Sequence, residues 1–319
     1  MEVEYRHPTE ADLEAITEVT NLSSREHKHH TDSTPDEVRT WFFGDSDFDP
    51  DGYLLAFADG LAVALGGSII SKSRQKGGFK DAYVGLSIIP EWRGKGIESH
   101  LMQFTLDYLK RKGISSAKMM APEQKSWLNG FAKKSGMHDI RHGYLMVYDR
   151  KEPPLKSALP GGYICQHTRY EECSDAEIDE FVKAFNESFL DHWNFAPVPA
   201  ERFIKIRDED AKKGESVLRL TLVKKGGEIA GVCFYGISIQ YNKQNNRNAG
   251  WTNILGVKKP HRRLGLGRAL LSESMVWMRE QGMDTLYLGM DAENSKALGL
   301  YTSQGYRTDQ ESITYELKL

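Results

Sequence analysis

Gly265 and Gly267 lie in the run Lys258-Lys-Pro-His-Arg-Arg-Leu-Gly-Leu-Gly-Arg268, after a stretch that alternates like a strand and before one with helical periodicity. At such a junction successive backbone N–H groups can converge, and the positive end of the helix adds to them, which is how a phosphate is held. Glycine permits the close approach that a side chain would block. The same turn also reads as a plain helix start with packing glycines. A P-loop is excluded because no Gly-Lys-Ser/Thr follows. A dinucleotide fingerprint is excluded because Leu270 holds its third glycine position. Lys258, Lys259, Arg262, Arg263 and Arg268 cluster here, available for phosphate charge or simply solvated.

Other chemistry-bearing residues carry less. The run His27-Lys-His29-His30 has no nearby cysteine and no i, i+4 pair with an acid partner, so a solvated segment is expected and no metal site. Cys165, Cys173 and Cys233 form no C-x-x-C, a usage that fits a reducing cytoplasm. The N-terminus lacks a basic stretch followed by an apolar one, and no window reads as a membrane span. With a net charge of −3 over 319 residues, neither a nucleic acid nor a membrane surface is expected as partner.

The elements that must position the turn are legible around it. Val217 to Val223 and Ile229 to Ile239 read as strands joined by the hairpin turn Lys224-Lys-Gly-Gly-Glu228, and Trp251 to Val257 as a third strand. After the turn, Leu266, Leu270, Leu271, Met275 and Met278 share one helical face, and Gly282 stops that helix. Leu286, Leu288 and Met290 alternate as a strand. A helix from about Asn294 to Ser303 ends at Gly305, and Ile313 to Leu319 is extended. Antiparallel strands followed by a strand–helix–strand crossover predict an α+β domain, a mixed and mostly antiparallel sheet flanked by helices.

The chain repeats this plan. Sliding it from Leu86 to Leu255, a shift of 169, also brings Arg93 onto Arg262, Gly96 onto Gly265, Gly113 onto Gly282 and Gly136 onto Gly305 without a gap. The two starts match as well, at another offset. Thr9-Glu-Ala-Asp12 and Ser174-Asp-Ala-Glu177 are both capping boxes before amphipathic helices. Breakers from Glu152 to Gly162 mark the joint, so the expected domains are 1–150 and 163–319 with a linker at 151–162.

Arg262-x-x-Gly265-x-Gly267 after a strand resembles the R/Q-x-x-G-x-G/A signature of the GNAT superfamily of N-acyltransferases. Asn294, Ala297, Leu300-Tyr301 and Gly305-Tyr306 resemble its second signature. The resemblance covers nearly all of 163–319 and, more faintly, 1–150, an arrangement similar to the tandem members of that superfamily. It implies an acetyl-CoA-dependent acyltransferase acting on a small-molecule amine. Amides of Arg263, Leu264, Gly265, Leu266, Gly267 and Arg268 would hold the pyrophosphate, with Arg262 nearby. The strand Leu255, Gly256, Val257 would pair with the pantetheine arm where two strands splay. Asn294 either touches that arm or caps the last helix, and both can hold. Tyr301 would be the general acid that protonates the departing thiolate; otherwise it packs the last helix. His192, Trp193 and Trp251 fall where the resemblance puts the acceptor, and no general base stands out. A non-catalytic acyl-CoA-binding or regulatory protein, or a peptide or protein N-acetyltransferase, are the other functions compatible with these motifs.

The first copy departs from the signatures where they carry function. Gly267 becomes Glu98, Asn294 becomes Lys125 and Tyr301 becomes Ala132, while the packing glycines remain. The first domain is therefore expected to be degenerate and the second catalytic.

Overall fold

The computed structural model describes residues 2–122 and 126–319, so Lys125 lies outside the described residues. The chain forms two compact units. The first runs to His142 and takes in Ser312–Leu319; the second is Gly143–Glu311.

In chain order the elements are β1 (Val3–Arg6), α1 (Leu13–Ser24), α2 (Pro35–Val38), β2 (Tyr53–Ala58), β3 (Leu61–Ile69), α3 (Lys72–Lys76), β4 (Asp81–Ile88), α4 (Ile97–Arg111), β5 (Ser116–Pro122), α5 (Ser126–Lys134) and β6 (His138–Tyr148). There follow β7 (Ile164–Arg169), α6 (Asp175–Phe189), α7 (Ala200–Lys213), β8 (Ser216–Lys225), β9 (Glu228–Ser238), α8 (Ile239–Asn245), β10 (Ala249–Val257), α9 (Leu266–Glu280), β11 (Thr285–Asp291), α10 (Ser295–Ser303) and β12 (Arg307–Lys318). Both capping boxes form, with the Ser174 amide donating to the Glu177 carboxylate at 2.8 Å and the Thr9 amide to Asp12 at 2.9 Å. Gly226 and Gly227 make the two-residue turn between β8 and β9, at φ +58° and +86°, where left-handed backbone matches the twist of the strands. Ile239, expected at the end of a strand, instead opens α8, because the Ser238 side chain accepts from the Tyr241 amide and caps a helix there.

In the second unit β7, β8, β9 and β10 are antiparallel neighbours, β10 and β11 are parallel, and residues 143–148 of β6 close the far side antiparallel to β11. The expected α+β architecture is the one observed. Leu266, Leu270, Leu271, Met275 and Met278 of α9 are all buried against one sheet face, with Cys233, Tyr235, Leu286 and Leu288. On the other face Ile178, Phe181 and Val182 of α6 and Phe203 of α7 pack on Leu220, Leu222, Val232 and Phe234. The first unit repeats the order β1 to β5, with β4 and β5 parallel and residues 312–318 of β12 on β5.

The two compact units divide within β6 at 142/143 and within β12 at 311/312. His138 and Arg307 are related by the same shift of 169, so β6 and β12 are twins of the repeat.

Candidate active site

The second unit builds its site from the end of β10, the turn after it and the start of α9. Arg263 and Gly265 take left-handed backbone at φ +63° and +89°. Their twins Gly94 and Gly96 stand at +76° and +90°, so the turn has one shape in both units. For Arg263, an ordinary L-residue, that conformation costs about 1 kcal/mol. Among the described residues, none of the amides from Arg263 through Arg268 donates to a protein acceptor. The helix bonds resume at Ala269, whose N–H meets the Gly265 carbonyl at 3.0 Å. The result is an anion cradle of free N–H groups at the positive end of α9.

The first unit shows what position 267 controls. There Glu98 replaces Gly267, and its carboxylate turns back to accept from the Gly94 amide at 3.0 Å. Its other oxygen is buried with no hydrogen-bond partner among the described residues. A side chain at this position thus enters the cradle itself. Gly267 does not have a positive φ, and a Cβ there would meet only Leu300 and Val257, at 3.5 and 3.9 Å. Glycine is not needed there for folding; it leaves the cradle open.

Arg262 sits differently from its expected role. Its Nε donates to the Val257 carbonyl at 2.9 Å, one terminal nitrogen to the Ser188 carbonyl at 2.8 Å, and both to the Asp191 carboxylate. Arg93 repeats this with the Ile88 and Ser23 carbonyls and Glu26. The guanidinium ties the end of α6 to the turn, and its charge is already committed. Lys258 is likewise paired, with Glu187 at 2.7 Å. Lys259, Arg263 and Arg268 make no ion pair among the described residues, and Arg268 donates only to Ser303, at 3.3 Å.

Beside Arg262, Asp191 is held far below the usual carboxylate range by the hydrogen-bonded guanidinium. A carboxylate depressed in this way adds stability above its unfolded value near 4 and loses it as pH falls. Arg262→Met is expected to cost about 1–2 kcal/mol of unfolding free energy at pH 7, allowing for partial exposure. Urea denaturation should show that gap narrowing below about pH 4. A gap independent of pH would remove Asp191 from the account.

Between β10 and β11 the sheet opens. Parallel pairing runs only from Ala249–Thr285 to Thr252–Leu288, and beyond it β10 is paired on one side alone, to β9. The Lys258 amide bonds the Ala230 carbonyl of β9, so by strand alternation those of Leu255 and Val257 point into the opening. The register also slips between Thr252 and Ile254, placing Asn253 as an extra residue in β10. β4 pairs with β3 without such a slip. Cβ-free Gly256 receives Ser188 and Phe189 of α6, each of which would stand 2.9 Å from a Cβ there.

Tyr301 lies in the α9-side core with Cys233 and Leu266, and its hydroxyl has no hydrogen-bond partner among the described residues. Burial, with the Cys233 thiol next, pushes its pKa up to about 12. Asn294 caps α10 by accepting from the Ala297 amide at 3.1 Å, leaving its NH₂ group uncommitted among the described residues. The three acceptor-region residues are not gathered together. His192 packs on Phe189, ring centroids 4.4 Å apart, near Gly256, and burial lowers its pKa. Trp193 is exposed. Trp251 stacks on Tyr287 at 4.6 Å, about 17 Å from Gly256 along β10. Glu98 and the turn were recognisable from the repeat. Asn253 was not, although it leaves a trace: aligning β4 to β10 needs a shift of 168 before it (Tyr83 to Trp251) and 169 after it (Leu86 to Leu255).

The fold has counterparts among known proteins. The model of the acetyltransferase (GNAT) family matches twice, over residues 16–134 and 178–306. A mycothiol acetyltransferase from Streptomyces bingchenggensis is 27% identical over 124 residues, a match spanning 38% of this chain and 38% of that relative. Another, from Thermobispora bispora, is 24% identical over 72% of this chain and 74% of its own length. A tandem GNAT protein from the clavulanic acid biosynthesis pathway superposes with TM-score 0.73 at 16% identity, covering 99% of this chain and 98% of that one. The expected tandem arrangement, of the type resembling mycothiol synthase, is borne out. No helix among the described residues is long and apolar enough to cross a membrane. The chain belongs to the acetyltransferase (GNAT) family, carrying its fold twice.

Proposed function

We propose that the protein is an acetyl-CoA-dependent N-acetyltransferase that acetylates the amine of a small molecule, with the chemistry confined to the second unit. The observation that carries this reading is the open cradle of amides from Arg263 to Arg268 beside a twin filled by Glu98. The residues fit the coenzyme. The free amides and the helix end suit a pyrophosphate, Lys259, Arg263 and Arg268 supply charge, and the opening beside Leu255–Val257 admits an extended arm. Acetyl-CoA bound there supplies an acetyl thioester. Leu255 and Val257 orient the arm through their amides, and Asn294 is placed to add its NH₂ group.

Tyr301 gives its phenolic proton to the departing thiolate sulfur as the amine nitrogen forms its bond to the acyl carbon and the C–S bond breaks. The proton lost by the nitrogen passes to solvent and returns to the phenolate. Net, an amine and the thioester become an amide and a thiol.

Calorimetry on the intact chain is expected to show one coenzyme A per chain, with thiol released from acetyl-CoA only when an acceptor amine is present. Two equivalent sites would refute confinement to the second unit. Binding without turnover over a broad amine panel would instead mark an acyl-CoA sensor.

A further inference from the structure

A shallow cavity of about 240 Å³ lies within the second unit, on the sheet face that also carries α6. It begins where the α6-side core ends, past Leu218 and Phe234, and is lined among others by Leu218, Trp251, Asn253 and Tyr241. Its wall is almost wholly apolar, and none of its lining residues is charged. Trp251 is braced on one side by Tyr287, centroids 4.6 Å apart at 26°, and edge-on by Tyr241 at 5.5 Å and 89°. Asn253, the extra residue of β10, is exposed and makes no hydrogen bond among the described residues. It connects the cavity to the place where β10 and β11 begin to part.

The fold does not demand this arrangement. In the first unit the strand has no extra residue, Tyr83 stands at the Trp251 position, and Lys118 replaces Tyr287. Lys118 is buried and paired with Asp81 at 2.6 Å, so charge occupies what is an aromatic floor in the second unit.

We propose that this cavity is the acceptor subsite and that it takes a primary amine bearing a single flat apolar ring, stacked against Trp251, with Asn253 hydrogen-bonding the polar end. The assignment rests on the transferase reading above. The volume suits one ring and little more. A polycationic or polyhydroxylated amine needs carboxylates or many hydrogen-bond partners, and the lining offers no carboxylate. An apolar wall also disfavours the ammonium form, so the bound amine loses its proton more readily and is ready to attack.

The test is calorimetric titration of the intact chain with 2-phenylethylamine, spermidine and D-glucosamine, with coenzyme A present, alongside a thiol-release assay using acetyl-CoA. We expect 2-phenylethylamine to bind at least tenfold more tightly than the other two, and Trp251→Ala to weaken it about tenfold or more. Since Trp251→Ala could unsettle β10, Asn253→Phe serves as a second variant. It changes an exposed position, and its ring should fill the cavity and cause a similar loss. Equal or tighter binding of spermidine or glucosamine, or undiminished binding in both variants, overturns the assignment even if thiol release with another amine upholds the transferase reading. Binding of 2-phenylethylamine that both variants weaken, without thiol release from any amine, upholds the cavity and sinks the transferase reading.

Discussion

Gly267→Glu should lose coenzyme A binding by at least about a hundredfold while melting close to the wild type. The magnitude follows from two effects. A carboxylate about 6 Å from a pyrophosphate charge costs roughly 3 kcal/mol at an effective dielectric near 20, which is two powers of ten in affinity. The first unit adds the second effect, since Glu98 not only repels an anion but also takes the Gly94 amide for itself. The fold should survive because a Cβ at 267 meets nothing closer than 3.5 Å and the twin unit folds with glutamate there. Calorimetry measures the binding and a thermal melt the fold. Retained affinity in a folded Gly267→Glu protein would show that the ligand does not use this cradle. The reciprocal change, Glu98→Gly, should free the Gly94 amide and raise anion binding in the first unit. It need not create a second active site, because Ala132 stands in place of Tyr301.

Tyr301→Phe should lower kcat by about 10² to 10⁴-fold and leave the KM for acetyl-CoA nearly unchanged. The ring remains to pack among Cys233, Leu266 and Tyr306, so the loss falls on the proton and not on the core. The pH dependence sharpens the test. Burial raises the phenol to about 12, so the acid form persists well above neutrality. A wild-type kcat profile should therefore show no alkaline fall assignable to Tyr301 below about pH 11. Under rate-limiting chemistry with an ordinary amine, equal rates in the two proteins would take Tyr301 out of the mechanism.

Much of this was readable from neighbouring residues alone. Ser174 with Glu177 and Thr9 with Asp12 specify helix starts because the partners are three residues apart. Leu266, Leu270, Leu271, Met275 and Met278 specify a buried stripe because helical periodicity is local. Gly265 and Gly267 beside a strand end specify a turn, and the shift of 169 exposes its twin with Glu98 in place of glycine. The tertiary structure alone decided the rest, since the interacting groups are far apart in the chain. Arg262 finds the Ser188 carbonyl and Asp191, more than sixty residues earlier, and that spends a charge the sequence left available. Glu98 turns into the cradle, where the sequence told only that its charge was wrong for one. Asn253 is an extra residue only in relation to β9, against which the register slips. β6 and β12 are twins at the shift of 169, and their own residues do not say that Leu145 pairs with Gly289 or Tyr315 with Met119. Backbone pairing is nearly indifferent to side-chain identity, and that choice belongs to the assembled fold.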